Sequence, residues 1–373
     1  MSKICTRCVM DSTAKEIVFD SNGICNFCHG YEDKSRAEVF SDKQGTELLD
    51  SLMNKIKESR SKEDYDVLIG LSGGVDSSYV AYILKKKYNL RILAVHVDNG
   101  WNTELSVANV ERLVDRLDID LITNVLNWKE FSDIQRAFLR SSISNIEIPT
   151  DHAIWATLLR TASKYKIPYI VAGNNVVTEA IMPESWLYGS KDALLIKDIH
   201  KKYGSLPLRT YPKLSLIDFV RFLLVKRIKW IPLLNYIDFN KASAKELLIK
   251  ELGWRDYGGK HYENIYTRFF HADYLVTKFG YDLRKSYFSA MINSGQISRS
   301  EALLELKKPP IDKALMDSDR KYVMKKLQIG EEEFSSIISE EGRDYSEFKN
   351  TNNWWIRLSP IVAYAKALIT KVE

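Results

Sequence analysis

The sequence predicts an α/β protein built on a parallel, doubly wound sheet. A small cysteine-rich module stands in front of it and a mostly helical region behind. Three observations carry this reading. Between residues 66 and 172, short apolar runs alternate with amphipathic stretches of about ten residues or more, the pattern of βαβ units. All four cysteines, Cys5, Cys8, Cys25 and Cys28, fall within the first 28 residues. Beyond about residue 200 the alternation fades and helical periodicity takes over.

The first segment, 1–32, has the spacing C-x2-C-x16-C-x2-C, inside the range of a four-thiolate zinc site. Two close pairs each offer two thiolates to one tetrahedral Zn2+, and the ion closes a module too small to bury a core of its own. Four thiolates leave no open position, so the site reads as structural. A reducing compartment argues against disulfides. An iron–sulfur cluster stays open as the other occupant. No cysteine follows Cys28, so chemistry in the main body proceeds without a cysteine nucleophile.

Residues 33–64 are charged and helix-prone and read as a helical linker. Residues 65–205 hold the alternation: strands over 66–72, 92–97, 121–126 and 169–172, and helices over 76–88, 104–117, 133–142 and 153–166. Parallel sheets bind ligands beyond the carboxyl ends of their strands, which singles out the loops 72–78, 98–103, 127–132 and 173–179. Residues 206–310 read as a helical substrate-binding region, with helices over 219–229, 242–252, 269–279 and 298–306. Pro309-Pro310 marks a boundary, and 311–373 reads as a helical extension without a usable motif.

The bulk numbers narrow the class. A net charge of +5 without a Lys/Arg stripe argues against a nucleic-acid partner. The N-terminal MSKICTRCVMD has no apolar h-region, so no signal peptide is expected, and no run approaches the ~18 apolar residues of a membrane span. The nearest, 214–234, is interrupted by Asp218, Arg221, Lys226, Arg227 and Lys229. The predicted location is cytoplasmic. Oligomeric state has no signal in the sequence.

The most informative stretch is VLIGLSGGVDSSYV, 67–80. Gly70-Leu71-Ser72-Gly73-Gly74 fits the G-x-S-x-G elbow of a serine hydrolase. However, no HGGG oxyanion loop occurs, and the motif sits on the first strand. A Walker loop requires a lysine after the glycines, and none is there. What remains is a phosphate cradle. Gly73 and Gly74 let backbone N–H groups point inward, Ser72, Ser77 and Ser78 add hydroxyl donors, and the helix start adds unpaired N–H groups. Asp76 would repel phosphate, and makes sense as a Mg2+ ligand or as an N-terminal helix residue.

SGGVDSS resembles the pyrophosphate loop of the ATP pyrophosphatase (PP-loop) superfamily, which includes GMP synthetase, asparagine synthetase and tRNA thiolation and lysidine enzymes. The resemblance implies ATP and Mg2+ as cofactors, with cleavage between the α- and β-phosphates. It places Asp98, in Val97-Asp98-Asn99-Gly100, on adenine or ribose, and Gly173 and Asn174 on pyrophosphate. Glu179 becomes a second Mg2+ ligand. The absence of cysteines from the catalytic region counts against thiolation and leaves nitrogen transfer. With no free cysteine for a glutaminase, ammonia is expected from another polypeptide.

A second block, ELGWRDYGGKHYENIYTRFFHADYLVTKFGYDLRKSYFSAMINSGQISRSEAL (251–303), together with CTRCVMD, resembles the bacterial N-acetyl sugar amidotransferase family of surface polysaccharide and flagellar glycan synthesis. That resemblance covers roughly residues 1–310. It implies conversion of an acetamido group on a nucleotide-activated sugar to an acetamidino group. It also implies a glutaminase partner resembling the imidazole-glycerol-phosphate synthase pair. Lys260, His261, Arg268 and Arg299 are then candidates to meet a sugar carboxylate or diphosphate. Glu263 and His261 are candidates to take the ammonia proton. Trp254, Tyr257, Tyr262 and Tyr266 are core residues or a sugar platform, with core favoured for most. The alternative from the wider superfamily is a lysidine-type tRNA-modifying ligase.

Overall fold

The computed structural model of the chain describes residues 3–189 and 191–351. Among the described residues, five strands form one sheet: β1 (Val67–Gly70), β2 (Ile92–Asp98), β3 (Asp120–Val125), β4 (Tyr169–Ala172) and β5 (Lys229–Pro232). Their order is β3-β2-β1-β4-β5, and every neighbouring pair is parallel. β1 is apolar throughout because the sheet is covered on both faces. Val67 and Ile69 face one layer and Leu68 the other.

Helices fill the connections. Ahead of the sheet come α1 (Asn26–Glu38) and α2 (Lys43–Ser59). Within it lie α3 (Val75–Lys86), α4 (Glu104–Leu117), α5 (Trp128–Arg140), α6 (Ile148–Lys164) and the single turn α7 (Val176–Glu179). Then follow α8 (Ala193–Tyr203), α9 (Leu216–Val220), α10 (Lys241–Leu252), α11 (Ile265–Phe269), α12 (Arg284–Asn293), α13 (Arg299–Leu306), α14 (Lys313–Leu327) and α15 (Glu331–Ser339). One face of the sheet packs on α2, α3, α4 and α10 through Met53, Val80, Val110 and Leu248. The other packs on α6 through Ala156 and Leu159. Capping residues set several helix starts. Asn127 accepts from Lys129 N and begins α5 five residues earlier than the apolar periodicity predicts, and Pro149 suits the first turn of α6.

A third core joins the N-terminal module to the C-terminal helices, with Met10, Trp186, Tyr266, Phe270, Tyr274 and Leu327 among its buried members. The cysteine module therefore packs into the body of the protein.

The sequence reading differs from the structure in two places that bear on function. The stretch predicted as helix over 219–229 is helical only to Val225, and Lys229–Pro232 is a strand at the sheet edge. The four residues Lys229–Pro232 carry too little period to tell strand from helix. The segment between the cysteines and the sheet holds two helices, the first starting at Asn26. Residues 352–373 of the predicted C-terminal extension lie outside the described residues. No helix among the described residues is long and apolar enough to cross a membrane.

Strand order reverses between β1 and β4. β1 connects towards β2 on one side, and β4 lies on the other. That reversal opens a crevice at the carboxyl ends of the two strands, where the 72–78 loop and the 173–175 loop meet.

Candidate active site

The loop after β1 is held in one shape by its own residues. Gly73 adopts φ +82°, and a Cβ there would stand 2.9 Å from the Ser106 carbonyl oxygen. This is a left-handed position that a side chain would strain and crowd. Ser72 Oγ accepts from Gly74 N at 3.2 Å and lies 3.2 Å from Ser77 Oγ. Across the crevice, a Cβ on Gly173 would come within 3.0 Å of both the Asp76 carbonyl oxygen and Ser77 N. The β4 loop thus passes over the start of α3 with room for backbone alone. The result is a concave set of N–H and hydroxyl groups at the start of a helix, the chemistry of a phosphate site. Ser78 is buried and its Oγ has no partner.

This loop forms one end of a cleft of about 590 Å3. Of the residues predicted from sequence, Ser72, Gly74, Asp76, Ser77, Gly173, Asn174, Glu179, Lys260, His261 and Glu263 line it. Gly73 and Ser78 belong to the loop but face inward. Asp98 does not line the cleft, and its carboxylate caps Gly100 N at 2.8 Å.

Two ion pairs neutralise the carboxylates. Lys260 Nζ lies 3.1 Å from Glu179 Oε1, and Lys241 Nζ lies 3.1 Å from Asp76 Oδ2. Asp76 Oδ1 is buried without a hydrogen-bond partner. Burial pushes the Asp76 carboxyl above its ordinary value despite Lys241. Burial opposes ionisation of Glu179 too, but Lys260 and Lys241 outweigh it and hold that carboxyl below the usual range. Lys241 was not foreseen. It begins α10, behind the N-cap Asn240, in the loop after β5. A loop at a strand's carboxyl end was the available signal, and it required recognising β5.

The 254–271 block closes the cleft from the other side. Trp254 Nε1 donates to the Gly73 carbonyl oxygen at 2.8 Å, and the Tyr257 hydroxyl donates to the same oxygen. Trp254 is buried, as are Tyr266 and Phe269. Tyr262 sits under the Arg268 guanidinium at 5.3 Å. These aromatics are therefore core or loop supports. The turn 258–261 carries two left-handed residues, Gly258 (φ +88°) and His261 (φ +65°). A non-glycine residue in that conformation is uncommon and recurs at functional sites. His261 Nδ1 lies 3.7 Å from Glu263 Oε1; burial opposes ionisation of the half-buried Glu263, but the interaction with His261 outweighs it and holds that carboxyl below its ordinary value. Behind them, the Tyr287 hydroxyl shares a hydrogen bond of 2.8 Å with His271 Nδ1. Burial keeps His271 far below the usual histidine range, hence neutral. The Lys260 ammonium rests 4.2 Å above the Tyr287 ring.

Two arginines expected in the site are elsewhere. Arg268 is committed to Asp319 through two bonds of 2.6 and 2.8 Å, and Arg299 donates to the carbonyls of Cys8 and Cys5 at 3.0 and 2.9 Å. Each is held by internal acceptors, and neither lines the cleft.

The four cysteines gather at the other end of α12. Their sulfurs lie within 4.8 Å of one another, with separations of 3.6, 3.8 and 3.9 Å between contacting pairs. A single tetrahedral ion at ~2.3 Å from each sulfur sets that edge at about 3.8 Å. Backbone N–H groups of Cys8, Met10 and Cys25 point at the sulfurs, as ligating thiolates require.

Comparison with known proteins divides the chain in two. Residues 45–195 match the NAD synthase family model, and residues 263–360 match the model described as LPS biosynthesis protein WbpG-like, C-terminal domain. An uncharacterised protein of Methanocaldococcus jannaschii is 22% identical over 327 residues, covering 86% of this chain and 99% of that protein. GMP synthase (glutamine-hydrolysing) of Chlamydia muridarum is 26% identical over 188 residues, covering 49% of this chain. The chain spans about a third (33%) of that enzyme's length. Among solved structures, the NH3-dependent NAD synthetase of Campylobacter jejuni aligns over 77% of this chain and 96% of its own, at 16% identity and a TM-score of 0.31.

Proposed function

We propose, starting from its membership of the WbpG-like group of PP-loop ATP pyrophosphatases, that this chain replaces the oxygen of a sugar N-acetyl group by nitrogen. The chain is an ATP-dependent carbon–nitrogen ligase, and its WbpG-like half ties it to lipopolysaccharide biosynthesis. The acceptor is a nucleotide-activated sugar. The nitrogen is ammonia released by a separate glutaminase.

The observation that carries this reading is the single cleft. The phosphate cradle of the NAD-synthase-like half and the 258–263 turn, which runs into the WbpG-like half, line one cavity. ATP and acceptor would meet there. The amide oxygen attacks the α-phosphorus, the bond to the β-phosphate oxygen breaks, and pyrophosphate leaves. Ammonia adds to the carbon of the resulting O-adenylyl imidate. The carbon–oxygen bond then breaks, AMP leaves with that oxygen, and a proton is lost to give the acetamidine. Amide oxygen is a poor leaving group and AMP a good one, which is why the chemistry needs ATP.

The chain's residues fit named parts. The 72–78 loop would cradle the pyrophosphate, with backbone N–H groups preorganised for the charge that develops as it departs. Asp76 and Glu179 would hold Mg2+, which supplies charge neutralisation at the phosphates when bound. The partnerless Asp76 Oδ1 supports this assignment. Lys241 and Lys260, freed from their carboxylates, would turn to the phosphate oxygens. Glu263, with His261 beside it, would accept the ammonia proton. Cys5, Cys8, Cys25 and Cys28 would hold one Zn2+, for which the sulfur separations give support.

The test is acceptor-dependent pyrophosphate release. Nucleotide-linked N-acetyl sugars with ammonium should stimulate it, and bulk tRNA should not. Stimulation by RNA alone would favour a lysidine-type ligase instead.

A further inference from the structure

We propose that the four-cysteine knuckle positions the wall of the active-site cleft, with α12 as the element that carries its state to Glu179. This rests on the reading of Glu179 as facing Mg2+ and pyrophosphate.

The knuckle grips α12 and its C-terminal neighbour at four points. Val9 N donates to Ser289 Oγ at 3.2 Å, Lys285 Nζ lies 2.6 Å from Asp11 Oδ2, and Asn293 Nδ2 donates to Cys28 Sγ at 3.4 Å. Arg299 spans the first cysteine pair through the carbonyls of Cys5 and Cys8. Both halves of the knuckle are thus engaged: Arg299 reads the Cys5/Cys8 loop and Asn293 reads the Cys25/Cys28 turn.

The same helix faces the cleft with its other side. Ser294 Oγ donates to the Val177 carbonyl at 2.9 Å, and Ser286 Oγ donates to the Ile181 carbonyl. Those two carbonyls bracket Glu179. Between them, Tyr287 supports the Lys260 ammonium that pairs with Glu179, and Met291 lines the cavity. A second strand of contacts runs in parallel: Glu16 accepts from Ser185 N at 3.1 Å, and Thr13 O accepts from Trp186 Nε1 at 3.3 Å.

The physical consequence follows from the module's size. A segment with no core of its own takes its order from the ion that joins its two cysteine pairs. Without the ion the pairs separate, and Arg299 and Asn293 can no longer both be satisfied. A bond from Asn293 to a metal-bound thiolate orients that ligand and, reciprocally, fixes the end of α12. Ser294 and Ser286 then hold α7 only as firmly as α12 is held. Arg299, Asn293 and Ser294 are positioning residues for the site, since none touches the cleft.

The test is hydrogen exchange on the full chain, zinc-loaded and after chelation. Metal removal should speed exchange about tenfold or more in 176–181 and 284–294, while the strands β1 and β2 stay protected. Arg299→Ala should keep one zinc per chain by elemental analysis, yet show the faster exchange at 176–181 and a weaker affinity for Mg2+-ATP. Ser294→Ala should loosen 176–181 alone, leaving 284–294 protected. Equal protection of 176–181 with and without metal would overturn the proposal, as would an Arg299→Ala protein that exchanges like the parent. Neither readout needs turnover. A chain that shows this coupling but releases no pyrophosphate would overturn the proposed reaction and leave the coupling standing.

Discussion

The indole N–H of Trp254 donates a 2.8 Å hydrogen bond to the carbonyl oxygen of Gly73, 181 residues earlier in the chain. This bond joins the two motifs on which the functional reading stands. Trp254 and Tyr257 both donate to the Gly73 carbonyl and so fix the orientation of that peptide within the loop. Trp254→Phe keeps most of the buried ring and removes the donor. The expected result is a folded protein whose affinity for Mg2+-ATP falls by up to about tenfold, the net worth of one hydrogen bond, with Tyr257 left as the remaining donor to that carbonyl. Calorimetric titration checks it.

Asp76 gives the sharpest single substitution. Asp76→Ala should abolish AMP formation while far-ultraviolet circular dichroism stays that of the parent. Lys241→Met removes the ammonium facing it and should lower turnover by about a hundredfold or more, the usual effect of losing one preorganised charge near developing phosphate charge. Initial-rate measurements of pyrophosphate release separate the two.

Gly173→Ala probes how closely the β4 loop covers α3. Its backbone is not left-handed, so the substitution acts through space alone. The new methyl would press on Asp76 O and Ser77 N at 3.0 Å. Nucleotide binding should weaken and the melting temperature should fall with it, since a methyl pressed against backbone is not relieved by a rotamer change. A variant binding Mg2+-ATP as well as the parent would show that the two loops do not act together.

The pH dependence of stability has a marked local source in Glu147, beneath the site. Burial first, and the nearby Asp151 second, push its carboxyl from the ordinary 4.5 up to about 8, although Thr267 donates to it at 2.9 Å. A raised carboxyl favours the folded state fully below the unfolded value, and that contribution is lost as pH rises through the folded value. Glu147→Gln should therefore raise the melting temperature relative to the parent by an amount that grows from about pH 5 to about pH 8.5. Thermal melts across that range test it, and a gain that shrinks with pH would contradict the assignment.

Much of this architecture was legible in the sequence, for physical reasons that also mark where legibility stops. β1, β2 and β4 announce themselves because a strand buried on both faces must be apolar at every position. β5 does not, since two of its four residues are Lys229 and Pro232, which leaves only Trp230 and Ile231 to mark a strand. With β5 hidden, the loop carrying Lys241 could not be placed at the mouth of the sheet. The glycines and serines of 72–78 were readable because a cradle needs them locally. Arg268 and Arg299, candidates for an anion in the sequence, lie off the cleft, because a sequence does not reveal whether an arginine has an internal acceptor. Asp319 and the cysteine carbonyls supply those acceptors only once the chain has folded. The role of Trp254 was hidden in the same way.

How ATP is cleaved and where the nitrogen goes are both measured in one reaction. The chain is incubated with Mg2+-ATP, 15N-ammonium and a nucleotide-linked N-acetyl sugar, and the nucleotide and sugar products are read by mass spectrometry. The prediction is AMP and pyrophosphate in equal amounts, with a sugar whose acetamido oxygen has been replaced by one 15N-labelled NH. ADP and phosphate as products, or AMP formed with no 15N in the sugar, would contradict it.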